Sequence, residues 1–296
     1  MNTYQSDCNV IVENIIDFDL TQTLECGQCF RFHEIAHNEY IIVAKRKVLR
    51  IKQEDNKLIF FDTTMEDYLN VWQDYFDLGR DYGSMKRWLL EKDGKLKEAI
   101  DAKYEVRILN QEFFEMLITF IISQNKQIPH IKQIVELLSQ QYGEPIGNIE
   151  GTDYYSFPTA ERLAEVSEQE FRDCKTGFRA PYLVDACKKV NEGFINQKEL
   201  FELDSYKVME KLLTIKGVGE KVSNCILLFG LSRREAFPID VWVKRIMEEL
   251  YFGKEVKKET IQQFAEKQFG SYGGYAQQYL FYYARDRKEK RKKEIK

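Results

Sequence analysis

Lys221 and Asp240 are the side chains whose types and spacing could do covalent chemistry together. Lys221 follows the second glycine of Gly217-Val218-Gly219 by two residues, and Asp240 closes Pro238-Ile239-Asp240. A lysine amine is a nucleophile in its unprotonated form, and a carboxylate stabilises positive charge that develops at a reacting centre. The pair suits attack of an amine on an electrophilic carbon, with an anion at hand for positive charge that develops beside it. Taken singly, each has an ordinary explanation: most helix lysines lie on the surface, and an aspartate that opens a helix usually caps it. The combination with two glycines at a fixed offset and a following Pro-x-Asp makes the chemical reading the stronger one.

The positioning elements are legible around these residues. Val208, Leu212 and Ile215 have helical spacing, and Val222, Cys225, Ile226 and Phe229 resume it after the glycines. Two helices therefore meet at a hairpin over about 205–230. Gly217 and Gly219 allow positive φ and close approach of another molecule, and the N–H groups opening the second helix are free for an anion such as a phosphate. Asp240 opens the next helix. The first turn of a helix also disfavours additional positive charge.

This pattern resembles the helix-hairpin-helix signature of the DNA glycosylase superfamily. The resemblance implies that the aspartate is shared by nearly all members and that the hairpin lysine marks enzymes that remove the base and cut the strand. The amine would attack C1′ of the deoxyribose, and the resulting imine would acidify the C2′ proton, so that β-elimination follows. Asp240 would stabilise the charge and help to activate the nucleophile. The double-stranded DNA would be bound through its phosphates at the hairpin.

Within that superfamily, Gly217-Val218-Gly219-x-Lys221-Val222-x-x-Cys225 resembles the 8-oxoguanine DNA glycosylases. The resemblance implies a role for Cys225 beside the lysine, as a dipole matched to the oxidised base. Gly27, in Gly27-Gln28-Cys29-Phe30-Arg31, would offer a carbonyl to the N7 hydrogen that 8-oxoguanine has and guanine lacks. Gln277 and Phe281, four apart in Tyr275 to Phe281, would read the base edge and stack on the flipped base. Asn125, in Ser123-Gln124-Asn125-Lys126-Gln127, matches the wedge that fills the gap, and Arg179 matches an arginine for the orphaned cytosine. His130 stands where animal members carry a second arginine, which weakens the case for strict discrimination of cytosine. Trp242 stands where those members carry histidine, and its packing against DNA backbone or sugar is left open. The expected substrate is 8-oxoguanine opposite cytosine, handled by an AP lyase without cofactor or metal. A structural cation on the hairpin carbonyls is not decided. The alternatives are an alkylated-base glycosylase of the same fold, against which Lys221 and Gly27 speak, and a non-catalytic helix-hairpin-helix DNA-binding protein.

Composition agrees with a globular chain of 296 residues whose apolar content can fill real cores. No long apolar run crosses a membrane, and the first residues lack the basic start of a signal peptide, so a soluble, intracellular monomer that works with DNA is expected. The six cysteines read as reduced thiols. Cys26 and Cys29 form a lone C-x-x-C without a second pair at zinc spacing, and no cysteine follows Cys225, which argues against an iron–sulfur cluster. A net charge of −4 is unusual for a nucleic-acid binder. The basic run from Arg285 to Lys296 reads first as a solvated helix end.

The expected fold is α+β. An N-terminal twisted antiparallel sheet domain with helices (1–105) is followed by an all-α domain (106–296) carrying the hairpin. Phe30 to Phe32, Tyr40 to Ala44, Lys47 to Ile51 and Lys57 to Phe61 read as an antiparallel meander. Helices are expected from Met65 to Phe76, Ser84 to Ala102, Glu112 to Ile122 at the centre of the second domain, and Pro129 to near Gly143. Ser167 with Glu170 is a capping box for a helix that Gly177 would stop. Further helices are expected from Pro181 to Glu192 and Gly274 to Lys288.

Overall fold

In a computed structural model, the backbone is described for residues 1–294 and the side chains for residues 1–287. The amino-terminal half is built on a six-stranded antiparallel sheet. Its strands are β1 (Asn2–Ser6), β2 (Asn9–Glu13), β3 (Phe32–Ala36), β4 (Glu39–Ala44), β5 (Lys47–Glu54) and β6 (Lys57–Phe61), in the order β1-β2-β6-β5-β4-β3. The meander β3 to β6 was legible in the sequence, and β1 and β2 were not. The chain also enters β3 at Phe32 rather than Phe30, because the Phe30 ring turns away to pack edge-on against Phe120, 6.2 Å between centroids.

The unbroken apolar run of β4 follows from burial on both faces. Tyr40, Ile42 and Ala44 enter the core shared with Trp72, Tyr75 and Phe76, while Ile41 and Val43 pack against Tyr154. Tyr154 belongs to a second hairpin, β7 (Pro145–Ile149) and β8 (Thr152–Tyr155), turned at Glu150-Gly151 with φ of 52° and 85°. The otherwise helical half therefore carries two strands that its sequence was not expected to form.

The helix expected from Met65 runs as Met65–Asp67, Tyr68–Trp72 and Gln73–Tyr75, with its middle segment π-helical. The stretch from Ser84 to Ala102 is not one helix. Tyr82–Lys92 ends at Asp93, whose extended backbone and side chain cap the next turn, Gly94–Leu96, before Lys97–Ala102. Tyr82, Met85, Leu89, Leu96 and Ile100 of this stretch enter the core of the helical half. At the centre of that core lies Phe113–Ile122, buried at Phe113 and from Met116 to Ile122.

Around it, Ile128–Tyr142 carries its proline in the first turn, and the Ser167–Glu170 capping box forms with both reciprocal bonds. Gly177 does not stop that helix, which ends at Asp173. Its φ of +63° instead opens a short turn, Gly177–Arg179, that leads into Ala180–Asn191. The last helix, Gly273–Glu294, is longer than expected. From residue 288 onward the basic run lies outside the described side chains.

Candidate active site

Lys221 lies in the first turn of Glu220–Cys225, which continues as the π-helical segment Ile226–Gly230. The helix before it, Ser205–Leu213, is capped by Asp204. At Gly217 the backbone has φ of +74°, and a Cβ would sit 2.3 Å from the Tyr182 ring, so conformation and space both require glycine. Gly219 differs, because its φ is an ordinary −106° and nothing stands within 4 Å of a Cβ there. Packing within the protein does not demand a glycine at that position, whereas close approach of an external backbone would. The hairpin is held in place by Asp185 of Ala180–Asn191, which accepts from Lys216 N at 2.8 Å and from Lys189 Nζ at 2.9 Å.

Asp240 caps Val241–Met247, its Oδ1 accepting from Trp242 N at 2.9 Å and Val243 N at 2.8 Å. One carboxylate oxygen is thus committed to the helix. Burial pushes this carboxyl up, while the Val243 amide, the Lys221 charge, the Trp242 amide and Lys258 hold it down. Cys225 is buried, which raises its thiol, and the charge of Lys221 pulls it partly back.

These three residues line one small cavity of about 60 Å³ together with Gly27, Gln277 and Phe281, which come from the opposite ends of the chain. Gln277 is buried, and its Oε1 has no hydrogen-bond partner among the described residues. A buried amide oxygen left unpaired costs stability, and this one belongs to a residue that lines the cavity. Gly27 has φ of +86°, and a Cβ there would stand 3.3 Å from the Phe281 ring.

The sequence did not single out four other wall residues: Phe120, Phe229, Pro238 and Gln278. The Lys221 amine lies 5.3 Å from the centroid of the Phe120 ring, which stacks on Phe229 at 5.4 Å. Both phenylalanines belong to runs that read only as core, and no local signal separates them from their neighbours.

The expected DNA contacts lie apart from this cavity. Asn125 is exposed with φ of +50°, a left-handed conformation that asparagine tolerates. Arg179 is 2% exposed and faces inward. Its guanidinium donates to Gln124 O through Nε at 2.9 Å and to Thr176 O at 3.2 Å, and it lies over the Phe178 ring. It therefore braces the loop that carries Asn125, and in this conformation it does not itself reach out to a base. His130 and Val241 are exposed, and Trp242 is half-buried with the Arg245 guanidinium 5.9 Å from its ring. No cluster of His, Cys, Asp or Glu among the described residues could hold a metal, and no described helix is long and apolar enough to cross a membrane.

Comparison with known proteins places two profiles side by side along the chain. Residues 10–117 match the 8-oxoguanine DNA glycosylase N-terminal domain, and residues 118–270 match the HhH-GPD superfamily of base excision DNA repair proteins. A Clostridium acetobutylicum 8-oxoguanine glycosylase/lyase, solved with double-stranded DNA containing cytosine opposite the lesion, is similar at 39% identity. The match covers 97% of this chain and 99% of that one, with a TM-score of 0.94. The N-glycosylase/DNA lyase OGG1 of Arabidopsis thaliana is 31% identical over 90% of this chain and 77% of its own length. A probable N-glycosylase/DNA lyase of Methanothermobacter thermautotrophicus is 27% identical over 91% and 94% respectively.

Proposed function

The chain belongs to the HhH-GPD superfamily of base excision DNA repair proteins, in its 8-oxoguanine glycosylase branch, and from that membership we propose how its own residues perform the reaction. The enzyme is a bifunctional N-glycosylase and DNA lyase that excises 8-oxoguanine from duplex DNA. Its substrate is DNA in which the lesion lies opposite cytosine.

The observation that carries the assignment of residues is that Lys221, Asp240 and Gln277 line one cavity, with Gly27, Cys225 and Phe281 beside them. A base cannot be reached inside the stack, so the nucleotide is flipped out of the duplex. Lys221 Nζ forms a bond to C1′ as the glycosidic bond breaks, and the base leaves with the electron pair and takes up a proton. Asp240 stabilises the positive charge that the sugar oxygen carries in the transition state. The sugar ring opens to an imine, loss of the C2′ proton follows, and the 3′ phosphate departs.

Gly27, Cys225, Gln277 and Phe281 hold the base. The hairpin at Gly217 and Gly219 takes the backbone phosphate, and Trp242, beside Asp240 on the next helix, flanks the same strand. Asn125, presented on its braced loop, enters the gap opposite cytosine. The amine supplies the covalent chemistry, so no cofactor takes part in these steps.

Incubating the protein with an 8-oxoguanine:cytosine duplex in the presence of borohydride tests this assignment. A covalent protein–DNA band is expected, and Lys221→Gln is expected to abolish it. Free base released without any band would make water the nucleophile and place the protein with the alkylated-base type of mechanism. DNA bound with neither band nor free base would leave a protein that only binds.

A further inference from the structure

The turn that carries Gly27 is hydrogen-bonded on both sides of that residue in an uneven way. The Glu25 carbonyl accepts from Arg285 Nη2 at 2.8 Å, and the Cys26 carbonyl accepts from Gln278 Nε2 at 3.1 Å. The Gln28 carbonyl accepts from Gln111 Nε2 at 2.8 Å. Gln28 itself is fixed through its side chain, which donates to Thr23 O and Arg107 O at 2.8 Å each and accepts from Leu109 N at 2.9 Å. Among the described residues no donor reaches the Gly27 carbonyl. The carbonyls before and after it are occupied, and this one is left without a donor on a residue that lines the cavity.

Two of the three donors come from the last helix, the element that also carries Gln277 and Phe281. Gln278 is buried. The Arg285 guanidinium lies 4.6 Å from the centroid of the Tyr282 ring and 5.7 Å from that of Phe281. Its Nη1 is buried without a partner, 3.4 Å from where a Cβ on Gly27 would stand. A turn with φ of +86° at its centre has little stiffness of its own, and a peptide plane there can rotate. Holding the neighbouring carbonyls fixes that plane.

We infer that Gln278 and Arg285 are positioning residues that present the Gly27 carbonyl to the flipped base, and so set the preference for 8-oxoguanine over guanine. The inference rests on the reading that Gly27 accepts the N7 hydrogen of the oxidised base. One proton distinguishes the two bases at that point, and an acceptor discriminates only while it is aimed. The same helix thus delivers the reader of the base edge, the stacking ring and the brace behind the third contact. Their mutual register is built into one rigid element.

The test uses the full chain carrying Lys221→Gln, which should hold DNA without cutting it, and compares affinity for duplexes with 8-oxoguanine or guanine opposite cytosine. The parent should prefer the lesion. Adding Arg285→Met or Gln278→Leu should shrink that preference, by roughly tenfold for each lost hydrogen bond, and Arg285→Lys should recover part of it. With Lys221 restored, Arg285→Met should still cleave a preformed abasic site, a reaction that needs no base and that a damaged fold would lose. An undiminished preference in both Arg285→Met and Gln278→Leu would overturn the inference. Equal binding of the two duplexes by the Lys221→Gln parent would overturn it from the other side, by removing the reading of Gly27 on which it depends.

Discussion

Asp240 can be separated into its two tasks by substitution. Its Oδ1 caps a helix through two amides at 2.8 and 2.9 Å, and its charge serves the reaction. Asparagine keeps the capping oxygen and removes the charge, whereas alanine removes both. Replacing a capping side chain by alanine costs about 1 kcal/mol, and exchange of aspartate for asparagine at such a site costs far less. In a chain of this size, about 1 kcal/mol corresponds to a fall in melting temperature of roughly 2–4 °C.

Because burial raises the Asp240 carboxyl above its ordinary value, the folded protein disfavours the ionised form. The sign follows directly. Above that raised pKa the charge is a burden on the fold, and as pH falls through it protonation relieves the burden. Asp240→Asn should therefore melt at or above the wild-type temperature near neutral pH and converge with wild type in acid. Asp240→Ala should melt below both.

Single-turnover excision should fall by about a hundredfold or more in each variant, since the transition-state charge loses its counter-ion. Thermal melting at several pH values and quenched-flow excision on the same preparations provide the measurements. Asp240→Asn melting as low as Asp240→Ala, or excising at the wild-type rate, would refute the reasoning.

The two hairpin glycines should behave differently: Gly217→Ala should destabilise by at least about 2 kcal/mol, since positive φ is compounded by collision with Tyr182. Gly219→Ala should melt as wild type and lose affinity for undamaged duplex, which calorimetry and fluorescence anisotropy would show. Arg179→Ala leaves the Gln124 carbonyl without its donor and takes from the Thr176 carbonyl the stronger of its two, the backbone N–H of residue 179 remaining at 3.4 Å. It should cost about 2 kcal/mol and speed protease cleavage in the Ser123 to Gln127 loop. Glu115 is pushed up to about 7 by burial, eased by Arg31 and Lys45 and aggravated by Glu112 and Glu136. Its ionised form is disfavoured in the fold, so Glu115→Gln should raise the melting temperature at pH 8, with the gain fading as pH falls through about 7 toward the ordinary carboxylate range.

The parts of the site that lie close together in the chain were legible without coordinates. Lys221 and Cys225 share a helix face because they are four apart, and the two hairpin glycines allow the positive φ that Gly217 takes, although the sequence did not separate it from Gly219, whose φ is negative. Gln277 and Phe281 were paired by the same periodicity. Local backbone geometry fixes such relations, and local geometry is written in residue type and spacing.

What needed the fold was every relation between distant segments. The meeting of Gly27 with the last helix, the placement of Phe120 beneath the Lys221 amine, and the second hairpin behind β4 all follow from long-range packing. The direction of Arg179 is of this kind too. An arginine in a turn reads as a solvent-facing cation, and only the nearby Gln124 carbonyl, supplied by a separate helix end, draws it inward. The brace on the Gly27 turn is legible only in three dimensions, because its donors at 111, 278 and 285 reach carbonyls far away in the chain. A hydrogen-bond donor carries no mark of its partner in the sequence, and the partner is decided when the core closes.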